Sequence, residues 1–281
     1  MQQLPALYIK DIEICSMWGD TTIKWHNLDP RINIVVGKNG GGKSTMLNLI
    51  RAVLMKDEKF IKQLKAKVKI TTTAGTMVYD GKQLLHSPAL GGYPEAACFQ
   101  YVNTFDVPAS KKSSMSQLGL TLDAVLYQRS DAVFSFSDYR LKMLSNLSEA
   151  PAIQARIDKF FNLINLLFEQ TGKQITIDNR NRVVFKLGSI TILPERLSSG
   201  EKQILLLLFT IFLMEDRPTV LLLDEPEISL HIEWQDRLVT LMQELNPNCQ
   251  IIMTTHSPNI FADGWEDKLV FISDLVESST S

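Results

Sequence analysis

Three groups of residues have types and spacings suited to phosphate chemistry. Gly37-Lys38-Asn39-Gly40-Gly41-Gly42-Lys43-Ser44 fits G-x-x-x-x-G-K-[ST], the Walker A pattern, with Thr45 next in line. Glycines let such a loop take positive φ angles and bring its backbone N–H groups close to phosphate oxygens. The helix that follows aims its positive N-terminal end at the same anion. Lys43 would reach the β- and γ-phosphates, and Ser44 would offer an oxygen to Mg²⁺, which takes few protein ligands. The second group, Asp224 and Glu225, ends the apolar run TVLLLDEP. Asp224 would hold Mg²⁺ directly or through water, and Glu225 would polarise an attacking water. The alternative for this pair is an acidic cap at a strand end. The third group is His256 in MTTHSP. Its imidazole would hydrogen-bond a γ-phosphate or the attacking water, where a lone histidine more commonly serves as a satisfied turn residue.

The elements needed to hold these residues are visible in the pattern. RINIVV is a short buried strand, then comes the glycine loop, then TMLNLIRAVLMK with apolar residues at helical spacing. TVLLLDEP and CQIIMTTHS read as buried strands alternating with the helix EWQDRLVTLMQEL, and KLVFIS follows, which indicates a parallel α/β sheet. Ligands of such sheets bind at the carboxyl ends of the strands, where Asp224, Glu225 and His256 would stand. LYIKDIEI and TTIKWHNL alternate as antiparallel strands, and VKITTTAGTMVYDGKQLL reads as a hairpin turning at Asp80-Gly81. From about residue 108 the texture becomes helical: SMSQLGLTLDAVLYQ, FSDYRLKMLSNL, and IQARIDKFFNLINLLFEQTG with Gly172 as its C-cap. QITIDNRNRVVFKLGSITIL then returns to strands.

In LSSGEKQILLLLFTIFL two small hydroxyl residues and a glycine precede a long apolar run. Its apolar run, Ile204 to Met214 interrupted by Thr210, is about half of the roughly 20 residues a membrane span requires, so it is expected to be a core helix. Ser198 or Ser199 would cap it and Glu201 would be a favourable first-turn acid.

Bulk properties bound the rest. A chain of 281 residues with 45% apolar and 21% charged residues is ordinary for a folded protein, so disorder is expected only at the ends. The net charge of −2 excludes a molecule that attracts nucleic acid over its whole surface. Lysine runs at Lys56 to Lys69 and at Lys111-Lys112 would permit a local stripe, or serve as solvated faces. Cys15, Cys98 and Cys249 form no CxxC pair, which argues against a zinc ribbon and a disulfide framework and for a reducing cytoplasm. His26 and His86 have no metal spacing and read as surface or turn residues.

Taken in order, GKNGGGKST, LSSGEKQ, LLLDEP and TTHS resemble the motif set of ATP-binding-cassette (ABC) ATPases, and the resemblance spans nearly the whole chain. It implies an α/β P-loop fold, a mixed sheet with an antiparallel N-terminal β-subdomain and an inserted helical lobe. Residues 1–281 would form one ABC-type ATPase domain, with 1–107 and 190–281 as the nucleotide-binding lobe and 108–189 as the helical or signature lobe. Carried over by residue, Gly37, Asn39, Gly40, Gly41, Gly42, Lys43, Ser44 and Thr45 would bind ATP. Ser44 and Asp224 would hold Mg²⁺, with Gln100 in CFQYVNTF as a further ligand or else a strand residue facing sideways. Glu225 and His256 would be catalytic. Ser198, Ser199, Gly200 and Glu201 would act in trans on ATP held by a second copy, giving a homodimer through ATP. Trp18 or Trp25 would stack on adenine or pack in the core.

Transporter cassettes usually read LSGGQ, with SALD after the acidic pair. This sequence has LSSGE and EISLH, with His231 where transporters have Asp. That is similar to the soluble RecF and OLD-like branch, grouped as AAA domains of ABC type, which works in DNA repair or phage defence. OLD-family proteins often carry a C-terminal Toprim nuclease. The sequence ends about 25 residues after His256, so nuclease or toxin activity is expected on a separate effector protein, with DNA as another candidate partner. Two alternatives stay open: the nucleotide-binding subunit of an ABC transporter, and a nucleotide-binding module with little turnover, against which Glu225 argues.

Overall fold

The computed structural model describes residues 7–88, 99–102, 116–127 and 134–277. Cys98 and the Lys111-Lys112 run lie outside them. Strands β1 (Ile9–Met17) and β2 (Thr21–Trp25) pair antiparallel, with Ile12, Ile14, Ile23 and Trp25 on the buried side, as the alternation predicts. Strand β3 (Ile32–Val36), buried at all five positions, feeds the glycine loop and helix α1 (Lys43–Leu54). Helix α2 (Glu58–Leu64) leads to a meander of β4 (Lys67–Thr72), β5 (Gly75–Tyr79) and β6 (Leu84–Pro88), followed by β7 (Phe99–Val102). The Asp80-Gly81 turn lies between β5 and β6, where the Asp80 carboxylate accepts from Lys82 N at 2.8 Å and Gln83 N at 3.0 Å.

The next part of the chain holds α3 (Gln117–Tyr127), α4 (Phe136–Ser145), α5 (Ala150–Leu167), the strands β8 (Gln174–Ile177), β9 (Val183–Leu187) and β10 (Ile190–Ile192), and α6 (Ser199–Leu213). Helix α4 starts at a capping box, Ser135 Oγ accepting from Asp138 N and Asp138 Oδ2 accepting from Ser135 N. Helix α5 stops at Leu167, earlier than the sequence pattern implies. Gly172, at φ 67°, closes the short 3₁₀ turn Glu169–Thr171 and not the helix itself. Helix α6 is buried on nearly every side. Its Phe209 and Phe212 meet Phe136 of α4 and Phe160 of α5 at ring-centroid distances from 4.3 to 6.0 Å. A helix apolar all round must be enclosed by others, which explains the run ILLLLFTIFL. Among the described residues no helix is long and apolar enough to cross a membrane.

The remaining elements are β11 (Thr219–Asp224), α7 (Ile232–Leu245), β12 (Cys249–Thr254), β13 (Leu269–Phe271), α8 (Ile272–Leu275) and β14 (Val276–Glu277). Two compact units result. One comprises Met1–Asn103, Asp216–Glu227 and Gln235–Ser281; the other comprises Thr104–Glu215 and Ile228–Trp234. Helix α6 groups with the helical unit, not with the sheets, because its apolar faces are taken by α3, α4 and α5.

The first unit has two sheets. An antiparallel sheet runs β14-β2-β1-β4-β5-β6, and a parallel sheet runs β13-β3-β12-β11-β7. Helix α1 packs on β4 and β5 of the first and on β11 and β12 of the second. The parallel register aligns Asp224 with Thr254, and Thr254 with Val35. The carboxyl ends of β3, β11 and β12 therefore finish at one level, directly where the glycine loop leaves the sheet. The second unit contains the antiparallel sheet β10-β9-β8 beside its helices.

Candidate functional site

The glycine loop owes its path to close approaches as well as to φ. A Cβ on Gly37 would lie 2.5 Å from the Ile272 side chain, and Gly42 caps α1 at φ 96°, with Met17 and Trp18 each 3.1 Å from where its Cβ would be. This fold of the loop turns Lys43 inward. Its Nζ donates to the carbonyls of Gly37 at 3.0 Å and Lys38 at 3.2 Å, and lies 2.7 Å from His256 Nε2. Burial pulls the Lys43 ammonium below the usual lysine range, against the opposing charges of Glu225, Asp224 and Glu227.

Beside the lysine, Ser44 Oγ donates to Asp224 Oδ1 at 3.0 Å. Thr254 Oγ1 donates to the same oxygen at 2.5 Å and accepts from Glu225 N at 3.2 Å. Glu225 sits at φ 47°, a left-handed backbone uncommon for a side chain of its size. That turn carries its carboxylate to 3.2 Å from His256 Nε2. Lys43, His256 and Glu225 thus form one contact chain. An open cleft of about 560 Å³ is lined by Asn39, Gly40, Gly41, Gly42, Lys43, Ser44, Thr45, Glu225, His256 and Trp18.

A phosphate chain suits this cleft: it has a helix N-terminus, backbone N–H groups and a lysine. Among the described residues no three His, Cys, Asp or Glu side chains gather into a metal cage. One hydroxyl and one carboxylate stand 3.0 Å apart, Ser44 and Asp224, and such a pair would suit Mg²⁺, which takes few protein ligands.

Eleven residues expected at the site are brought together, Gly37, Asn39 to Thr45, Asp224, Glu225 and His256, but others are not. Gln100 lies in mid-strand opposite Leu221, three positions short of the level of Asp224. Trp25 is buried in the core, 4% exposed, whereas Trp18 is 53% exposed and lines the cleft. Of the lysines in the first run, Lys69 is paired with Glu13 at 2.8 Å. His26 contacts Asp11 at the surface, and His86 lies in β6. Sequence reasoning missed Thr254 and Glu227, both buried. Their one visible signal is the repeated pairing of hydroxyls and acids in TTHS and DEPE.

The Ser198–Glu201 motif belongs to the helical unit. Ser198 is the N-cap of α6 in a reciprocal box: its Oγ accepts from Glu201 N at 3.3 Å, and Glu201 Oε2 accepts from Ser198 N at 2.9 Å. Glu201 is buried and paired with Lys173. Gly200 is packed against the backbone of Ser229, which itself takes φ 74°. Ser198 is exposed and Ser199 half-buried. His231, the residue that departs from the transporter pattern, is exposed and meets the Trp234 ring edge-on at 6.5 Å.

Comparison with known proteins agrees with this architecture. The chain is 23% identical over 296 residues to the Septu protein PtuA of Bacillus thuringiensis, covering 90% of this chain and 73% of that protein. It is 27% identical over 194 residues to a putative ABC transporter ATP-binding protein of Methanosarcina mazei, covering 68% of this chain and 36% of that one. Its fold matches that of an Smc head solved bound to the C-winged helix domain of ScpA, with a TM-score of 0.58, 18% identity and 91% of each chain covered. The family model described as AAA domain, putative AbiEii toxin, Type IV TA system, matches residues 121–263. With half of its length inside that model, the chain belongs to this family of AAA domains.

Proposed function

We propose that this chain binds ATP with Mg²⁺ in the cleft at the carboxyl ends of β3, β11 and β12, and hydrolyses it as a dimer of two copies. The observation that carries the reading is the convergence of Lys43, His256 and Glu225 in contact, with Ser44 and Asp224 beside them. The loop N–H groups and Lys43 bind the β- and γ-phosphates. Ser44 and Asp224 would hold Mg²⁺, which when bound would offset charge developing on the phosphates. Glu225 orients the attacking water and takes its proton, and His256 steadies the γ-phosphate end. Ser198, Ser199, Gly200 and Glu201 present the N-terminus of α6 to ATP held by the second copy. The exposed Ser198 and the fifteen-residue helix behind it supply N–H groups and a dipole for that contact.

The dimer acts as a switch that reports nucleotide state to a separate effector protein or to DNA. Support comes from the EISLH segment, from similarity to a Septu protein, and from a family description that names a toxin. The similarity to the Methanosarcina protein favours a second reading, a transporter subunit. Under that reading turnover would depend on a membrane permease.

The test is Glu225→Gln. Turnover should be abolished while an ATP-dependent dimer is trapped, seen by size exclusion with light scattering. A Glu225→Gln protein that hydrolyses ATP at the wild-type rate would sink the assignment.

A further inference from the structure

One buried carboxylate remains outside the proposed chemistry. Glu227 lies two residues beyond Glu225 and is 6% exposed. Its Oε1 accepts from Thr255 Oγ1 at 2.6 Å and from His256 N at 2.9 Å. Its Oε2 is buried without a hydrogen-bond partner among the described residues. Burying a carboxylate with half of its lone pairs unused is costly. An uncharged residue of similar size would fill the same space without that cost, so packing does not explain the choice of residue. What the carboxylate does accomplish is local. Both groups donating to it belong to the loop that carries His256, and bonds to an anionic acceptor are short and directional.

The rest of the loop is held in the same way. Thr255 Oγ1 accepts from Ser257 N at 3.0 Å. Ser257 Oγ donates to Gln235 Oε1 at 2.6 Å, and Gln235 Nε2 lies 3.5 Å from the carbonyl of Glu227. Thr254, Thr255 and His256 are thereby bonded directly to the segment Asp224–Glu227, and Ser257 reaches it through Gln235. We infer that Glu227 is a positioning residue for hydrolysis: it fixes the backbone of His256 so that the imidazole lies between Lys43 Nζ and Glu225 Oε1. The inference rests on the reading of the cleft as an ATP-hydrolysing site. Without the Glu227 anchor, the loop would shift the imidazole off both partners while the phosphate loop and Lys43 stay in place.

The test is a double-mutant cycle on the full chain, measuring kcat, KM and the ATP dissociation constant for wild type, Glu227→Ala, His256→Ala and the double variant. Glu227→Ala should lower kcat about 10- to 100-fold, the scale of a small misplacement of a reacting group, with ATP binding nearly unchanged. In the His256→Ala background the same change should add less than about twofold, because independent sites multiply and coupled ones do not. Glu227→Gln keeps a carbonyl acceptor in place and should recover part of the loss, the rest reflecting the weaker pull of a neutral acceptor. An equal loss in both backgrounds, or a loss confined to KM, would overturn the role. If Glu227→Ala does not fold, Thr255→Val carries the same expectation, lowering kcat only when His256 is present. Wild-type protein that binds ATP without turning it over would overturn the site reading and this role with it, whereas normal turnover with an additive cycle overturns this role alone.

Discussion

Replacing Gly200 with alanine tests the packing at the start of α6 through the sign of its effect. A Cβ at this position would lie 2.3 Å from the Ser229 carbonyl oxygen and 3.3 Å from its carbon. Ordinary contact begins at 3.4 Å, so the oxygen is 3.4 − 2.3, or about 1.1 Å, too close. The obstacle is backbone, and Ser229 is already held at φ 74°, so it has little freedom to retreat. With open space around it, a glycine-to-alanine change in a helix would stabilise by up to about 1 kcal/mol. Overpacking against a fixed group costs about 1–3 kcal/mol, and a backbone obstacle belongs at the upper end. The net expectation is a loss of about 2 kcal/mol, which at a urea m-value of about 2 kcal/mol/M lowers the unfolding midpoint by about 1 M. Urea titration followed by circular dichroism reads this directly. A midpoint that rises or stays put would refute the reasoning, since it would mean the segment Ile228–Trp234 does not press on the N-terminus of α6.

Two further outcomes follow from particular residues. Ser198→Arg should stop turnover while a single copy still binds ATP, measured by calorimetry against the non-hydrolysing Glu225→Gln protein; loss of binding would mean that the α6 tip does not act in trans. Asp29 should contribute to acid lability. Burial pushes its carboxyl up, but the N–H groups of Arg31 and Ile32 and the Lys268 ammonium outweigh that and hold it below the usual range. A depressed folded-state pKa gives stability that is present above the unfolded value of about 3.9 and is lost as pH falls through the folded one. The Tm advantage of wild type over Asp29→Asn should therefore be full at pH 7 and shrink below about pH 4. An advantage that does not change with pH would show that the carboxylate's charge is irrelevant there.

The parts of the fold legible in the sequence are those whose physics is local. The glycine loop, the buried strands β3, β11 and β12, and the capped helix α6 each carry their own signal within a dozen residues. Trp18 and Trp25 were separable in principle, because Trp25 shares a strand face with the buried Ile23, two residues earlier, while Trp18 follows the end of β1. Gly172 misled because a glycine C-cap signal does not distinguish the end of an α-helix from the end of the 3₁₀ turn that follows it. Gln100 could not be placed, because its depth depends on where β7 aligns with β11, and nothing in CFQYVNTF sets that register.

Register is also what makes two motifs about 30 residues apart into one device. Pairing of Asp224 with Thr254 sets the acid of one motif against the hydroxyl of the other, and every later contact follows from it: Glu225 N to Thr254, then Glu227 to Thr255 and His256. A slip of one residue between β11 and β12 would turn alternate side chains to the opposite face. Asp224 would lose both Ser44 and Thr254, and His256 would lose Glu225. The polar residues at the strand ends oppose such a slip, since Asp224 and Thr254, both buried, would lose the bonds they make to Ser44 and to each other. The hydrogen bonds that fix the register at the strand ends therefore also hold the lysine, histidine and glutamate in contact.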